Sequence, residues 1–288
     1  MRAMNSPTPA SFFHHPGCAC HGTRRGFLFA GTAAALGLAG APVAAQVNVG
    51  SSSRLRKLVP AEALESAAVE QYREMLDKAR AQGALAPDGH AQLQRLRAIA
   101  QRLIPHTYQW NSRAAQWRWE VNLIGSKEIN AFCMPGGKIA FYTAIIDQLR
   151  LTDDEIAMIM GHEMAHALRE HSREQLAKGQ ATGIGLSLGA QLLGLGDLGN
   201  MAARVGTQLL TLKFSRSDES DADLVGLELA ARAGYNPQAS VSLWRKMGEA
   251  TGSGGLEFLS THPSGPERIR ELERNVPRVQ ALYEAARR

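Results

Sequence analysis

Cysteine is scarce in this chain, with 3 in 288 residues. Cys18 and Cys20 stand beside His14, His15 and His21 in an N-terminal stretch that reads as a removable leader, so this cluster is not taken as a metal site. Without the leader, Cys133 is the sole thiol, which excludes an intrachain disulfide. Flanked by Phe132 and Met134, it reads as a small buried core residue. Aromatic residues make up only 6% of the chain. No internal repeat is found, and nothing in the composition signals wholesale disorder. A formal charge of +5 looks basic. Three of those charges, Arg2, Arg24 and Arg25, lie in the acid-free leader, and the remaining body is nearly balanced, so no nucleic-acid footprint is expected. Long apolar runs are also missing. The Gly-rich stretch 179–200 is interrupted by Gln191 and Asp197, and its apolar part is too short to span a bilayer. It reads as a helical hairpin over the core, with a lid or membrane-surface flap as the alternative.

The leader has a cationic start, a short apolar run and small residues ending at Val43-Ala44-Ala45, the pattern of a secretory signal. Arg24-Arg25-Gly26-Phe27-Leu28 is similar to a twin-arginine export signal, which carries folded proteins. Cleavage after Ala45 is expected, with an uncleaved membrane anchor as the competing reading. The expected organisation is a signal over 1–45, a linker over 46–59 and one domain over 60–288. The product would be exported to a bacterial periplasm or cell envelope.

Within the domain, helical spacing of Ala61, Leu64, Ala68 and Tyr72 predicts a helix from Pro60 to about Arg80. A second helix is expected from about Ala91 to Leu103. Alternation in Trp117–Leu123, then the runs Ile129–Met134 and Lys138–Tyr142 around Pro135-Gly136-Gly137, predicts a small antiparallel sheet of about three strands. Thr152-Asp153-Asp154-Glu155 fits a capping box that starts another helix. Further helices are expected at about 218–233, 237–250, 266–274 and 277–287. The fold class is α+β and mostly helical.

His162-Glu163-Met164-Ala165-His166 lies on the capped helix. Residues four apart share a helix face, so both imidazoles can point at one metal ion. Glu163 is then held beside the metal, where a general base belongs. A catalytic zinc site needs a third ligand, and Glu219 is the best candidate. The residues following it at helical spacing, Ala222, Asp223, Gly226 and Ala230, are small and allow close packing on the histidine helix. Asp223 suits a carboxylate accepting the far N–H of a ligand histidine, with an ordinary buried carboxylate as the alternative. Asp218 and Asp221 read as helix-starting or solvent-facing charges.

Gly161–Ala167, followed by Ser215–Asp223, resembles the zinc metallopeptidases of the HtpX, BepA, LoiP and Oma type. Asn130–Gly137 is similar to the strand and turn preceding the histidine helix in that family, and Thr261-His262-Pro263 to its later His-Pro element. The resemblance implies a zincin-like domain with its sheet packed on the histidine helix. It also implies one zinc ion held by His162, His166 and Glu219, with Glu163 as catalytic base. The expected activity is hydrolysis of peptide bonds in misfolded or membrane-associated envelope proteins. The compact exported form is most like the LoiP type, although the leader lacks a lipid-attachment cysteine. His262 is read as a donor to the oxyanion; a fourth zinc ligand in a closed resting state and a plain surface histidine compete with that. Arg216 is a further candidate near Glu219. His171 reads as structural, rotated off the ligand face. The strand carrying Asn130, Ala131 and Phe132 is either an edge that pairs with extended substrate or internal to the sheet.

Overall fold

The computed structural model describes residues 47–181, 209–250, 257–263 and 265–288. The leader, residue 46 and most of the Gly-rich stretch lie outside these residues. Helix α1 (Ala61–Ala81) and helix α2 (Ala91–Leu103) precede a sheet of β1 (Glu120–Ile124), β2 (Ala131–Met134) and β3 (Lys138–Tyr142). Helices α3 (Thr143–Gln148), α4 (Asp153–Leu168) and α5 (His171–Ala181) follow. Beyond the undescribed stretch come α6 (Arg216–Arg232), α7 (Ala239–Ala250), α8 (Glu257–Thr261) and α9 (Pro266–Ala286).

The sheet order is β1-β3-β2, with β3 antiparallel to β2 but parallel to β1. The expected all-antiparallel sheet is therefore mixed. The tight turn at Pro135–Gly137 forces β3 alongside β2, so β1 pairs with the other side of β3. Gly136 and Gly137 both take positive φ in that turn, which glycine adopts without a Cβ clash. Side chains alternate along each strand. Val121, Leu123, Ala131, Cys133, Ile139 and Phe141 join the main core with α4. Ile124, Met134 and Ala140 join a second cluster with Leu64, Tyr72 and Leu76 of α1. Burial on both faces explains why β2 and β3 read as nearly continuous apolar runs.

Helix α4 opens with the full capping box: Thr152 accepts from the Glu155 N–H, and Glu155 accepts from the Thr152 N–H. It is buried almost all round, which places two histidines and a glutamate in the middle of the core. Helix α6 has an equivalent box formed by Ser215 and Asp218, two residues earlier than the expected start. The sequence 266–287, expected as two helices broken at Pro277, is one helix with Pro277 inside it. The ring removes one N–H, and the buried Leu272, Val276 and Val279 hold the two halves in line. Residues 47–59, expected as linker, lie on the body: Val47 is buried and its N–H donates to Glu228 Oε2 at 3.0 Å.

Helices α4 and α6 cross at Gly161 and Gly226. A Cβ on Gly226 would stand 2.6 Å from the His162 N and 2.8 Å from the Gly161 carbonyl carbon. Both are backbone atoms and cannot swing aside. Gly226→Ala gains up to about 1 kcal/mol in helix propensity, whereas overpacking costs about 1–3 kcal/mol. The expected net result is a lower Tm and, because the helices must part, weaker zinc binding. Calorimetry and a zinc titration check this; an unchanged Tm would contradict the close crossing.

Candidate metal centre

Four side chains converge between α4, α6 and the end of α8. His162 and His166 come from one face of α4, Glu219 from the first turns of α6, and His262 from the residue after α8. Relative exposures of 4%, 2%, 0% and 3% respectively seal them from bulk water. His162 Nε2 is 3.1 Å from His166 Nε2 and 3.3 Å from His262 Nδ1. Glu219 Oε1 lies 3.1 Å from His262 Nδ1 and 3.4 Å from His166 Nε2, and Glu219 Oε2 lies 3.6 Å from His162 Nε2. Ligands about 2.0–2.1 Å from a tetrahedral zinc are separated by about 3.3–3.4 Å, so this donor set fits the ion. The plain-surface reading of His262 does not survive its burial.

Tautomers follow from the outer contacts. His162 Nδ1 lies 3.0 Å from Asp223 Oδ1, so its N–H donates to the carboxylate and Nε2 presents a lone pair. Burial, the largest influence, lowers the His166 pKa to about 3, leaving that ring neutral. Burial opposes charge on His262 as well, but the Glu163 and Glu219 carboxylates beside it outweigh that and raise its pKa. Glu219 also resists burial's upward push: the imidazoles of His166, His262 and His162 around it hold it far below the usual carboxylate range.

Glu163 sits on the opposite side of His262, with Oε1 3.5 Å from His262 Nε2. Burial raises its proton affinity. Its Oε1 has no hydrogen-bond partner among the described residues, and the nearby Cys133 backbone N–H offsets a little of burial's effect. Asn130, Ala131 and Phe132 line the same cleft as Glu163, His166 and His262. The strand they lead into is an edge of the sheet. The Tyr142 N–H donates to Asn130 O, so alternation turns the backbone groups of Ala131 away from β3.

Arg216 is not brought to the cluster; it is exposed on the first turn of α6. The arginine that reaches the carboxylates is Arg268 of α9, which sequence spacing alone did not single out. Its Nε and Nη2 donate to Asp223 Oδ2 and Oδ1 at 2.7 and 2.8 Å. Its Nη1 lies 2.6 Å from Glu219 Oε2 and also donates to Pro263 O at 3.1 Å. The guanidinium stacks 3.7 Å over the Trp244 ring. The sequence signal was an Arg in helical phase with Leu272, two residues after a Pro at a helix start but one of four arginines in that helix. Phe214 was also missed; it stacks on His166 with centroids 3.9 Å apart. Asp221, expected to face solvent or start the helix, instead pairs with Arg169 at 2.8 Å.

Two buried helical imidazoles, a carboxylate from a second helix and an adjoining glutamate under a sheet edge form the donor arrangement of a zincin-type metallopeptidase domain. The chain belongs to Peptidase family M48, whose family model matches residues 90–276. It is 37% identical over 172 residues to mitochondrial metalloendopeptidase OMA1 of Schizosaccharomyces pombe, covering 59% of this chain and 50% of that protein. It is 37% identical over 154 residues to the Arabidopsis thaliana protein of that name, covering 54% of this chain and 31% of that one. Against the beta-barrel assembly-enhancing protease of Escherichia coli it is 27% identical over 202 residues, covering 66% of this chain and 40% of that protein. The chain thus spans about half or less of the length of these relatives.

Proposed function

We propose that the chain is a zinc-dependent endopeptidase that cleaves extended segments of misfolded or membrane-associated proteins in a bacterial cell envelope. The observation that carries this reading is the set of four buried donors at tetrahedral spacing beside Glu163 Oε1. His162, His166 and Glu219 would hold the ion. When bound, zinc supplies Lewis acidity that makes water acidic near neutral pH and polarises a scissile carbonyl. Glu163 takes the water proton on its unpaired oxygen and passes it to the departing amide nitrogen. Asp223 keeps His162 in the ligand tautomer, and Arg268 fixes Asp223. The outward carbonyl of Ala131, whose N–H is taken by Asn130 Oδ1, offers an acceptor on which substrate adds as a further strand, giving affinity without strict sequence choice.

The leader supports export, and the relatives compared above include two mitochondrial metalloendopeptidases and a beta-barrel assembly-enhancing protease. Among the described residues no helix is long and apolar enough to cross a membrane. Contact with a membrane surface through 179–200 is a proposal that rests on sequence, since residues from 182 onward in that stretch lie outside those described.

A second reading, a zinc-retaining chaperone-like module with gated proteolysis, is favoured by one observation. His262 Nδ1 occupies the fourth corner of the donor set, where a working zinc enzyme keeps water. This supports His262 as a ligand of a closed resting state over its role as oxyanion donor. The test is metal analysis together with cleavage of casein. One zinc per chain is expected, with cleavage lost on chelation and restored by zinc. Zinc retention with no cleavage, but with suppression of aggregation, would favour the gated module instead.

A further inference from the structure

We propose that His171 is the positioning residue of His166, accepting its Nδ1–H and so holding the Nε2 lone pair toward the metal. The proposal rests on the reading of His166 as a zinc ligand. Five residues along one helix would turn His171 well away from His166, but α4 ends at Leu168. Glu170 then adopts φ of +61°, the left-handed region, which side chains other than glycine rarely enter. Arg56 Nε pairs with the Glu170 carboxylate at 2.7 Å, and Arg173 closes on its other oxygen. This pinned turn starts α5 at an angle that returns His171 to His166. The two Nδ1 atoms are 2.9 Å apart, with both rings buried and ring planes at 74°.

Two imidazole nitrogens at that separation share one proton. Nε2 of His166 faces His162 Nε2 at 3.1 Å and Glu219 Oε1 at 3.4 Å. To donate its lone pair there, His166 must carry its proton on Nδ1, and His171 must offer Nδ1 bare with its own proton on Nε2. Ligand histidines are ordinarily steadied by a carboxylate, carbonyl or water. His162 has that arrangement in Asp223, whereas His166 is steadied by a neutral ring that adds no further negative charge to the cluster. Of the two ligand imidazoles, one is therefore electronically enriched by an anion and the other is only oriented.

The test compares wild type, His171→Phe and His171→Asn in zinc affinity, read by competition with a chelating dye. Phe keeps a ring and removes the acceptor; Asn restores an acceptor oxygen. His171→Phe should weaken zinc binding by about tenfold to a hundredfold, with Asn recovering most of the loss. Undiminished affinity in the Phe variant, or equal loss in both, overturns the proposal. Nitrogen NMR of histidine-labelled, zinc-loaded wild type needs no variant to fold. It should show His166 protonated at Nδ1 and His171 bare at Nδ1; a proton on His171 Nδ1 overturns the assignment. A wild type that binds no zinc defeats the metal-centre reading itself, and this proposal with it.

Discussion

Glu163→Gln should lower casein cleavage by about 10²–10⁴-fold while the purified protein keeps its zinc. Glutamine preserves the shape of the side chain and cannot take up a proton. The loss follows because Glu163, with Oε1 3.5 Å from His262 Nε2 and without a hydrogen-bond partner, is placed to take a proton, whereas the neighbouring Asp223 is held by His162 and Arg268. Burial favours the protonated form, so the carboxylate is a stronger base than one in water and suited to work near neutral pH. The side chain is buried in α4, so the isosteric amide should keep its place. Metal analysis beside the cleavage assay reads the result. Persisting cleavage would remove Glu163 from the mechanism; loss of zinc with loss of cleavage would make it part of the holding cage instead.

Arg268→Met is expected to have the largest effect on stability, a loss of about 3–5 kcal/mol in zinc-free protein. The methionine fills part of the volume but leaves Asp223 and Glu219 buried without their guanidinium. Both carboxylates resist burial's upward push on their pKa, Asp223 largely through the Arg268 charge. Zinc should restore part of the loss, since a cation beside Glu219 replaces some of the missing charge. Arg268→Lys should recover only a fraction: an ammonium cannot fork across both Asp223 oxygens or lie flat on Trp244. Urea unfolding with and without zinc measures each quantity. Equal stability of wild type and Arg268→Met would show that the ion pairs merely offset their own desolvation.

Periodicity located the helix carrying His162 and His166 because its cap, its four-residue spacing and its apolar flanks agree. Glu219 was reachable for a related reason: only a stripe of small residues lets two helices approach until Gly226 touches Gly161. Local pattern could not show which side of β3 receives β1, because strand direction in a sheet is a long-range property. Arg268 and Phe214 escaped for the same cause, since each reaches the cluster from an element distant in the chain. His171 stays outside the donor set as read, but its contact with His166 was hidden by a rule that holds only while a helix continues. The left-handed residue at Glu170, a glutamate where glycine or asparagine is usual, gives no warning in the sequence. Pro277 misled in the opposite direction, because a buried stripe outweighed a breaker.

One backbone hydrogen bond links two parts of the cleft. The Phe258 N–H donates to Ile129 O at 3.1 Å, and the His262 N–H donates to Phe258 O at 2.9 Å. The short helix leading into His262 is thus tethered to the chain just before it enters β2. Withdrawing His262 by moving that helix must snap the tether or drag the lead-in to the docking strand along with it, so gate and groove form a single linkage.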